Sequence, residues 1–281
     1  MTWKIVSDSG CDFQKIKDLA VATNFERVPL TIQVGNEIFT DDAELDIDEM
    51  MEKMYATSTA SKSACPSPDD YLKSFAGAYN IFVVTITGTL SGSNNSAQLA
   101  KKLYQEEHPN VNIHVIDSLS AGGEIDLIVH KLNHLIGQGL SFEEVVKAIT
   151  DYQEKTKLLF VLSKVDNLVK NGRLSKLLGT VVGLLNIRMV GEASSQGTLE
   201  LLQKARGHKK SLTAAFEELL KAGYAGGEII IAHRNNTKFC QQFSELVREK
   251  YPKASITIIP TSGLCSFYAE EGGLLMGYEI E

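Results

Sequence analysis

Short apolar runs alternate with amphipathic stretches through the first half of the chain. Trp3–Val6, 81–86 and 112–116 have the composition of buried strands, whereas 96–107 and 122–136 repeat their apolar residues at helical spacing. Strands and helices therefore follow each other in the order β-α-β-α with short connections. This order predicts a parallel sheet covered by helices.

Other stretches of this half add further elements. The pattern predicts a helix over Cys11–Ala22 and one continuous strand over Arg27–Val34. Ser67-Pro68-Asp69-Asp70 is a strong start for a helix that runs to about residue 78, because it combines an N-cap serine with proline and acids in the first turn. Helices are also predicted over 47–56 and 141–155.

The second half has a different pattern, typical of an α+β fold. Two predicted strands, 187–192 and 198–202, are joined by the short loop ASSQG, which is hairpin-like spacing. We therefore expect mixed or antiparallel pairing here and divide the chain into domains 1–155 and 156–281. The other predicted strands are 158–162, 228–232 and 255–260, and the helices are 164–170, 209–222 and 237–250.

Charge and composition exclude several classes of function. The net charge of −7 over 281 residues gives no general attraction to nucleic acid or to an anionic membrane surface. The sequence has no apolar span of about twenty residues, so we expect no stable membrane insertion. Its four cysteines form no metal-binding pair, and the N-terminus lacks a signal-peptide pattern. A cytoplasmic protein without metal or cofactor is the expectation.

The loop ITGTLSGSNNSA at 86–97 is the first candidate site, because it connects a predicted strand to a predicted helix. Backbone N–H groups and hydroxyls at a helix N-terminus favour an anion, so this loop can cradle a carboxylate or phosphate. It lacks the lysine of a P-loop. The alternative is an ordinary strand–helix turn.

Three other loops carry candidate chemistry. The loop SACPSP, which begins at Ser63, also leads into a helix, and loops at one edge of a parallel sheet can meet around a ligand. Arg173 follows a helix-ending glycine and can recognise an anion. Thr261 and Ser262 offer hydroxyls near a turn. The alternatives are, respectively, a capped loop, a solvated arginine and simple turn chemistry.

Taken in order, these segments resemble the DegV family of bacterial proteins across nearly the whole chain. The resemblance implies two α/β domains with a fatty acid held between them. It also implies a protein without catalysis of its own, the lipid-presenting subunit of a fatty acid kinase. A separate ATP-binding kinase would phosphorylate the carboxylate. The segments are KIVSDSGCD, VPLTIQVGNEIFTDD, KSACPSPDDYLKSF, TGTLSGSNNSA, HVIDS, VDNLVKNGRLS and IRMVGEASSQG.

The resemblance also assigns residues. Ser63 takes the place of the threonine in the family's T-S-Q-P-S loop, and Leu90-Ser91-Gly92-Ser93 matches its L-S-G-T loop, so Ser63, Ser91, Gly92 and Ser93 are expected to bind the head group. Arg173 matches the arginine implicated in engaging the kinase. The histidine of the family's H-x-G-P-G segment is absent, with Ala269 at its position. The hydroxyls of Thr261 and Ser262 are candidates to substitute for it.

The apolar stretch 177–185 is expected to line or cover the acyl chain, through Leu178, Val182 and Leu184; the alternative is an ordinary core segment. Two other functions stay open. One is a hydrolase or transferase acting on an anionic small molecule with Ser91 as nucleophile, which requires a base within hydrogen-bond reach. The other is a carrier of another lipid that has no kinase partner.

Overall fold

In a computed structural model the described residues, 2–174 and 186–281, form three sheets and the helices that cover them. The strands are β1 Trp3–Asp8, β2 Thr23–Val28, β3 Thr31–Val34, β4 Glu37–Thr40, β5 Lys62–Ala64, β6 Asn80–Thr85, β7 Asn112–Asp117, β8 Thr156–Leu162, β9 Ile187–Ala193, β10 Leu199–Arg206, β11 Ile229–His233, β12 Ile256–Pro260 and β13 Leu274–Glu279. The helices are α1 Ile47–Ala56, α2 Pro68–Phe75, α3 Ser93–Glu107, α4 Gly123–Gly137, α5 Phe142–Gln153, α6 Asp166–Lys170, α7 His208–Lys221, α8 Thr237–Lys250 and α9 Gly263–Ala269.

The first sheet is parallel, with strand order β2-β1-β6-β7. All six residues of β6 are buried, because helices cover both faces of the sheet. Phe82 and Val84 face α4 and α5, whereas Ile81 and Val83 face α2 and α3. The predicted parallel sheet is confirmed.

The second sheet is mixed, with strand order β10-β9-β8-β13-β11-β12. Strand β13 lies between β8 and β11 and is antiparallel to both, and β9 and β10 form the predicted hairpin. Alternate residues of β8 pack on opposite faces of the sheet. Leu159 and Val161 pack against α7 and α8, whereas Phe160 packs on the other face, which α9 covers. The predicted mixed pairing is confirmed.

Helix α4 joins the two halves of the molecule. Gly123 lies so close to the second sheet that an added Cβ would overlap the backbone of Ile230 and Gly277. The first sheet and the six-stranded sheet draw their strands from opposite sides of residue 155. The division into domains 1–155 and 156–281 stays a prediction, because α4 packs against both sheets.

A third, three-stranded sheet has the order β4-β3-β5 and is antiparallel. It brings β5, which carries Ser63, towards α9 at the boundary between the halves. Neither β4 nor β5 was predicted from the sequence pattern, and α9 and β13 were also missed. Within the described ranges, no helix is long and apolar enough to cross a membrane.

The predicted helix over Cys11–Ala22 is wrong, because this segment is irregular. Asp126 Oδ1 accepts the backbone N–H of Asp12 at 2.8 Å, and Asn133 Oδ1 accepts that of Ala20 at 2.8 Å. Both acceptors belong to α4, so distant side chains replace the hydrogen bonds that a helix would supply.

The single strand predicted over Arg27–Val34 is also wrong. It is divided into β2 and β3, which belong to different sheets. Pro29 separates them, because proline has no N–H to donate to a ladder. The N–H of Leu30 is instead bonded to the Ser9 hydroxyl at 2.9 Å.

Candidate functional site

A cavity of about 310 Å³ lies between the two halves of the molecule. This volume is at the lower end of the range for small-molecule sites, roughly 300–1,000 Å³. Most of its lining is apolar, and its polar side chains are hydroxyl groups, two thiols and one guanidinium. The described residues that line it are Leu30, Ser63, Ala64, Cys65, Ile86, Thr87, Leu90, Ser91, Gly92, Leu119, Ser120, Ala121, Leu158, Phe160, Leu162, Leu168, Arg173, Ala193, Gly197, Leu199, Leu264, Cys265, Tyr268, Ala269 and Leu275.

The inner face of the six-stranded sheet supplies much of the apolar wall. Leu158, Phe160 and Leu162 alternate along β8 and are at most 3% exposed. Phe160 pairs with Gly191 on β9, where an added Cβ would lie 2.7 Å from the ring atom Cε2. The glycine therefore provides the space in which the Phe160 ring lies against the sheet.

Two hydroxyls from opposite halves of the molecule meet in the lining of the cavity. Ser63 Oγ on β5 and the Tyr268 hydroxyl on α9 are 2.8 Å apart. Burial raises the pKa of Tyr268, partly offset by this hydrogen bond and by the positive charge of Arg173. The phenol is therefore neutral at physiological pH and can donate a hydrogen bond to an anion.

Ser91 and Gly92 line the cavity at the start of α3, near the loop that follows Ser63: a Cβ added at Gly92 would lie 3.0 Å from Cys65 Sγ. Gly92 is the N-cap of α3, and the N–H of Ser93 in the first turn donates to Ser91 Oγ at 3.3 Å, so the Ser91 hydroxyl lies at the positive end of the helix dipole. This arrangement favours a negative group.

Arg173 also lines the cavity, but its guanidinium is engaged with backbone carbonyls. Its Nε donates to the carbonyl of Leu90 at 3.2 Å, and its Nη1 donates to that of Asn171. Arg173 therefore contacts the residue that directly precedes Ser91.

Ser93 is buried behind the cavity and does not belong to its described lining. Its hydroxyl donates to Asp8 Oδ2 and lies 2.7 Å from the hydroxyl of Tyr71. Its N–H donates to Ser91 Oγ at 3.3 Å, so the backbone of Ser93 stays next to Ser91 while its hydroxyl points away from the cavity. The expected head-group role for Ser93 finds no support in this geometry.

Thr261 and Ser262 likewise lie outside the described lining. The Thr261 hydroxyl is 2.7 Å from that of Ser266, and Ser262 donates its N–H and its hydroxyl to Asp12 Oδ1 at 2.6 and 3.0 Å. The two residues support the start of α9 instead of facing the cavity. Leu178, Val182 and Leu184, the expected acyl-chain contacts, lie outside the described residues.

Two aspartates from the first half hold α9 in place. Asp41 accepts hydrogen bonds from the N–H groups of Gly263 and Leu264, both at 2.8 Å. Asp12 accepts hydrogen bonds from the N–H and the hydroxyl of Ser262. These bonds fix the helix that carries Tyr268 and Ala269 to the cavity. Ala269 is 1% exposed and adds only a methyl group to the wall.

Tyr268 was not among the residues selected from the sequence. Its helix is only seven residues long, and its hydroxyl partner lies 205 positions earlier in the chain. The only signal in the sequence is that Tyr268 directly precedes Ala269, the position at which the family resemblance predicts a histidine.

Ser91 lines the cavity, and the hypothesis of an enzyme requires a base within hydrogen-bond reach of it. None of its described lining residues is a histidine, aspartate or glutamate, so Ser91 has no base among them. The described ranges also contain no group of three or more His, Cys, Asp or Glu side chains that could hold a metal ion.

Comparison with known proteins places this architecture in context. The family model described as "Uncharacterised protein, DegV family" matches residues 2–279. A DegV domain-containing protein of Streptococcus gordonii is 83% identical over 280 residues, which covers 100% of both chains.

The solved structures that match over 100% of both chains include two with a bound fatty acid. The Streptococcus pneumoniae Fatty Acid Kinase (Fak) B3 protein, loaded with linoleic acid, has 75% identity and a TM-score of 0.99. A DegV family protein from Eubacterium eligens, loaded with heptadecanoic acid, has 38% identity and a TM-score of 0.96. The resemblance inferred from the loop motifs is confirmed: this chain belongs to the DegV family.

Proposed function

We propose that this protein binds a long-chain fatty acid in the cavity and presents its carboxylate to a separate kinase. The observation that carries the proposal is a mostly apolar cavity whose lining includes the hydroxyl-bearing residues Ser63, Ser91 and Tyr268. An amphiphile with one anionic end and a long apolar tail matches a cavity that has an apolar wall and a few hydroxyl groups. The fatty acids bound to the Streptococcus pneumoniae and Eubacterium eligens proteins support the same ligand class.

The energetics of this cavity suit such a ligand. Burying a sixteen-carbon chain contributes about 11 kcal/mol at roughly 0.8 kcal/mol per methylene. Association and ordering costs offset several kcal/mol of this. Each hydrogen bond to the carboxylate adds about 1.5–3 kcal/mol. The apolar wall therefore supplies most of the affinity, and the hydroxyls with the α3 N-terminus fix the orientation of the head group.

The protein itself performs no chemistry in this proposal. A nucleophilic Ser91 would need a base, and the described cavity lining offers none. We assign phosphorylation of the bound carboxylate to an ATP-dependent partner, with Arg173 as the candidate residue for its engagement. The name of the Streptococcus pneumoniae relative, which includes fatty acid kinase, supports this assignment. The cytoplasm is the proposed compartment because the partner uses ATP.

The test begins with mass spectrometry of a solvent extract of the purified protein. A stoichiometric long-chain fatty acid is expected, and the delipidated protein should take up palmitic acid again. Addition of ATP and a bacterial fatty acid kinase should then yield acyl phosphate, with none formed when either protein is omitted. Lipid binding without acyl phosphate would favour the carrier without a kinase. Failure to bind any fatty acid would refute the proposal.

A further inference from the structure

The loop that carries Ser91 is held in place from the other half of the molecule. The turn between β9 and β10 reaches across the boundary, where Thr87 Oγ1 donates to the carbonyl of Gly197 at 2.9 Å. Thr89 Oγ1 donates to the carbonyl of Gln196 at 2.6 Å. These bonds join residues 107 or more positions apart, so they form only when the two halves are assembled.

The approach of this turn depends on its glycine. Gly197 has φ +75°, a backbone conformation that side chains other than glycine's rarely adopt. An added Cβ at this position would also overlap the Thr87 hydroxyl and lie 3.2 Å from Cα of Leu119. The turn is therefore shaped to lie directly on the loop.

The same loop is held at its other end by Arg173, whose Nε donates to the carbonyl of Leu90. Between these ends, the N–H of Ser91 donates to the carbonyl of Thr87 at 3.1 Å. Ser91 is thus bonded directly to one anchored residue and adjacent in sequence to another. Its place in the cavity follows from contacts made by the second half of the chain.

We infer that the β9–β10 turn and Arg173 set the position of Ser91, which makes Thr89 and Arg173 positioning residues for the ligand carboxylate. This inference rests on the proposed function. Thr89 is exposed and lies outside the described cavity lining, so it can influence the carboxylate only through the loop. Arg173 lines the cavity, and its loss removes both an anchor of the loop and a positive charge near Tyr268.

The experiment measures the affinity of the delipidated full-length protein for palmitic acid and for hexadecanol, without any kinase. The ratio of the two affinities reports on the carboxylate alone, because both ligands share the same tail. We expect T89V and R173A each to lower this ratio by about three- to tenfold, as loss of one hydrogen bond implies. T213V and R248A, which alter the same residue types on α7 and α8, should leave the ratio unchanged.

Each other outcome overturns the inference. An unchanged ratio in T89V, with a lower ratio in R173A alone, would mean that the arginine charge acts directly on the carboxylate. Equal losses for acid and alcohol, accompanied by a lower Tm, would mean that the anchors serve stability only. A wild-type protein that binds neither ligand would refute the proposed function as well, and this result differs from all the others.

Discussion

Tyr268→Phe removes one oxygen from the proposed head-group site and leaves the aromatic ring in place. In the free protein this oxygen is 2.8 Å from Ser63 Oγ, so the substitution removes a neutral hydrogen bond and should lower the free energy of unfolding by about 1 kcal/mol. In the proposed complex the phenol would donate to the ligand carboxylate, and hydrogen bonds to charged groups contribute about 1.5–3 kcal/mol.

The affinity for palmitic acid should therefore fall by the difference between these two losses, about 0.5–2 kcal/mol or roughly two- to thirtyfold, since each 1.4 kcal/mol corresponds to a factor of about ten. Hexadecanol affinity should fall by much less. Because burial raises the pKa of Tyr268 above its ordinary value of 10.0, the wild-type affinity for the acid should be constant between about pH 7 and 9.

Isothermal titration calorimetry of the delipidated variants gives both affinities, and urea denaturation gives the stability. Tyr79→Phe is the matched control, because Tyr79 is 45% exposed and directly precedes β6, at the end of the strand opposite the 86–92 loop. Wild-type affinity of Tyr268→Phe for palmitic acid would refute the assignment. So would an equal loss for the acid and the alcohol, because that result indicates a change of cavity shape.

Three further predictions concern the scaffold. Gly191→Ala should destabilise the fold by at least about 1–3 kcal/mol and shift the acyl-chain preference, because the new methyl group overlaps the backbone carbonyl oxygen of Glu200 and displaces the Phe160 ring. Thermal unfolding and a chain-length series measure the two effects, and an unchanged preference would contradict the second. Burial raises the pKa values of Asp8 and Asp12 to about 6, so the folded state binds their protons more tightly than the unfolded state does. The free energy of unfolding should therefore rise by about 1 kcal/mol when the pH is lowered from 7.5 to 5.5, and this gain should be lost when the pH is increased again through 6. Urea denaturation at the two pH values measures the change, and a lower free energy of unfolding at pH 5.5 would disprove the prediction. Asn133→Ala should lower the free energy of unfolding by about 2 kcal/mol and speed proteolytic cleavage within 11–22, because it removes hydrogen bonds to Ala20 and Asp18. Cleavage of the variant at the wild-type rate would argue against this role.

The strands and helices with strong periodicity were predictable from the sequence. β6 is a run of apolar residues between polar turns, and α5 begins at a capping box formed by Ser141 and Glu144. Such elements are determined by neighbours within a few positions. The predicted parallel sheet followed from their order along the chain.

The errors have causes far away in the sequence. The segment from Cys11 to Ala22 has helical spacing, yet Asp126 and Asn133 bind its backbone from positions more than 110 residues later. The loop around Ser91 was recognised from its composition, but composition does not reveal that the Ser93 hydroxyl turns towards Asp8. Tyr268 was missed because its role depends on a contact with Ser63 that only the assembled halves create.

The central place of β13 has a consequence for how the protein folds. β8 and β11 are separated in the sheet by a strand that follows them in sequence, so neither has its full set of partners until 274–279 are in place. Such non-local pairing slows folding and leaves strand edges open to aggregation in the meantime. Leu275, which belongs to β13, also lines the cavity, so the wall of the cavity is incomplete until the sheet is complete. A chain interrupted before this strand would lack part of the cavity wall, and the unpaired edges of β8 and β11 would be exposed to proteolysis.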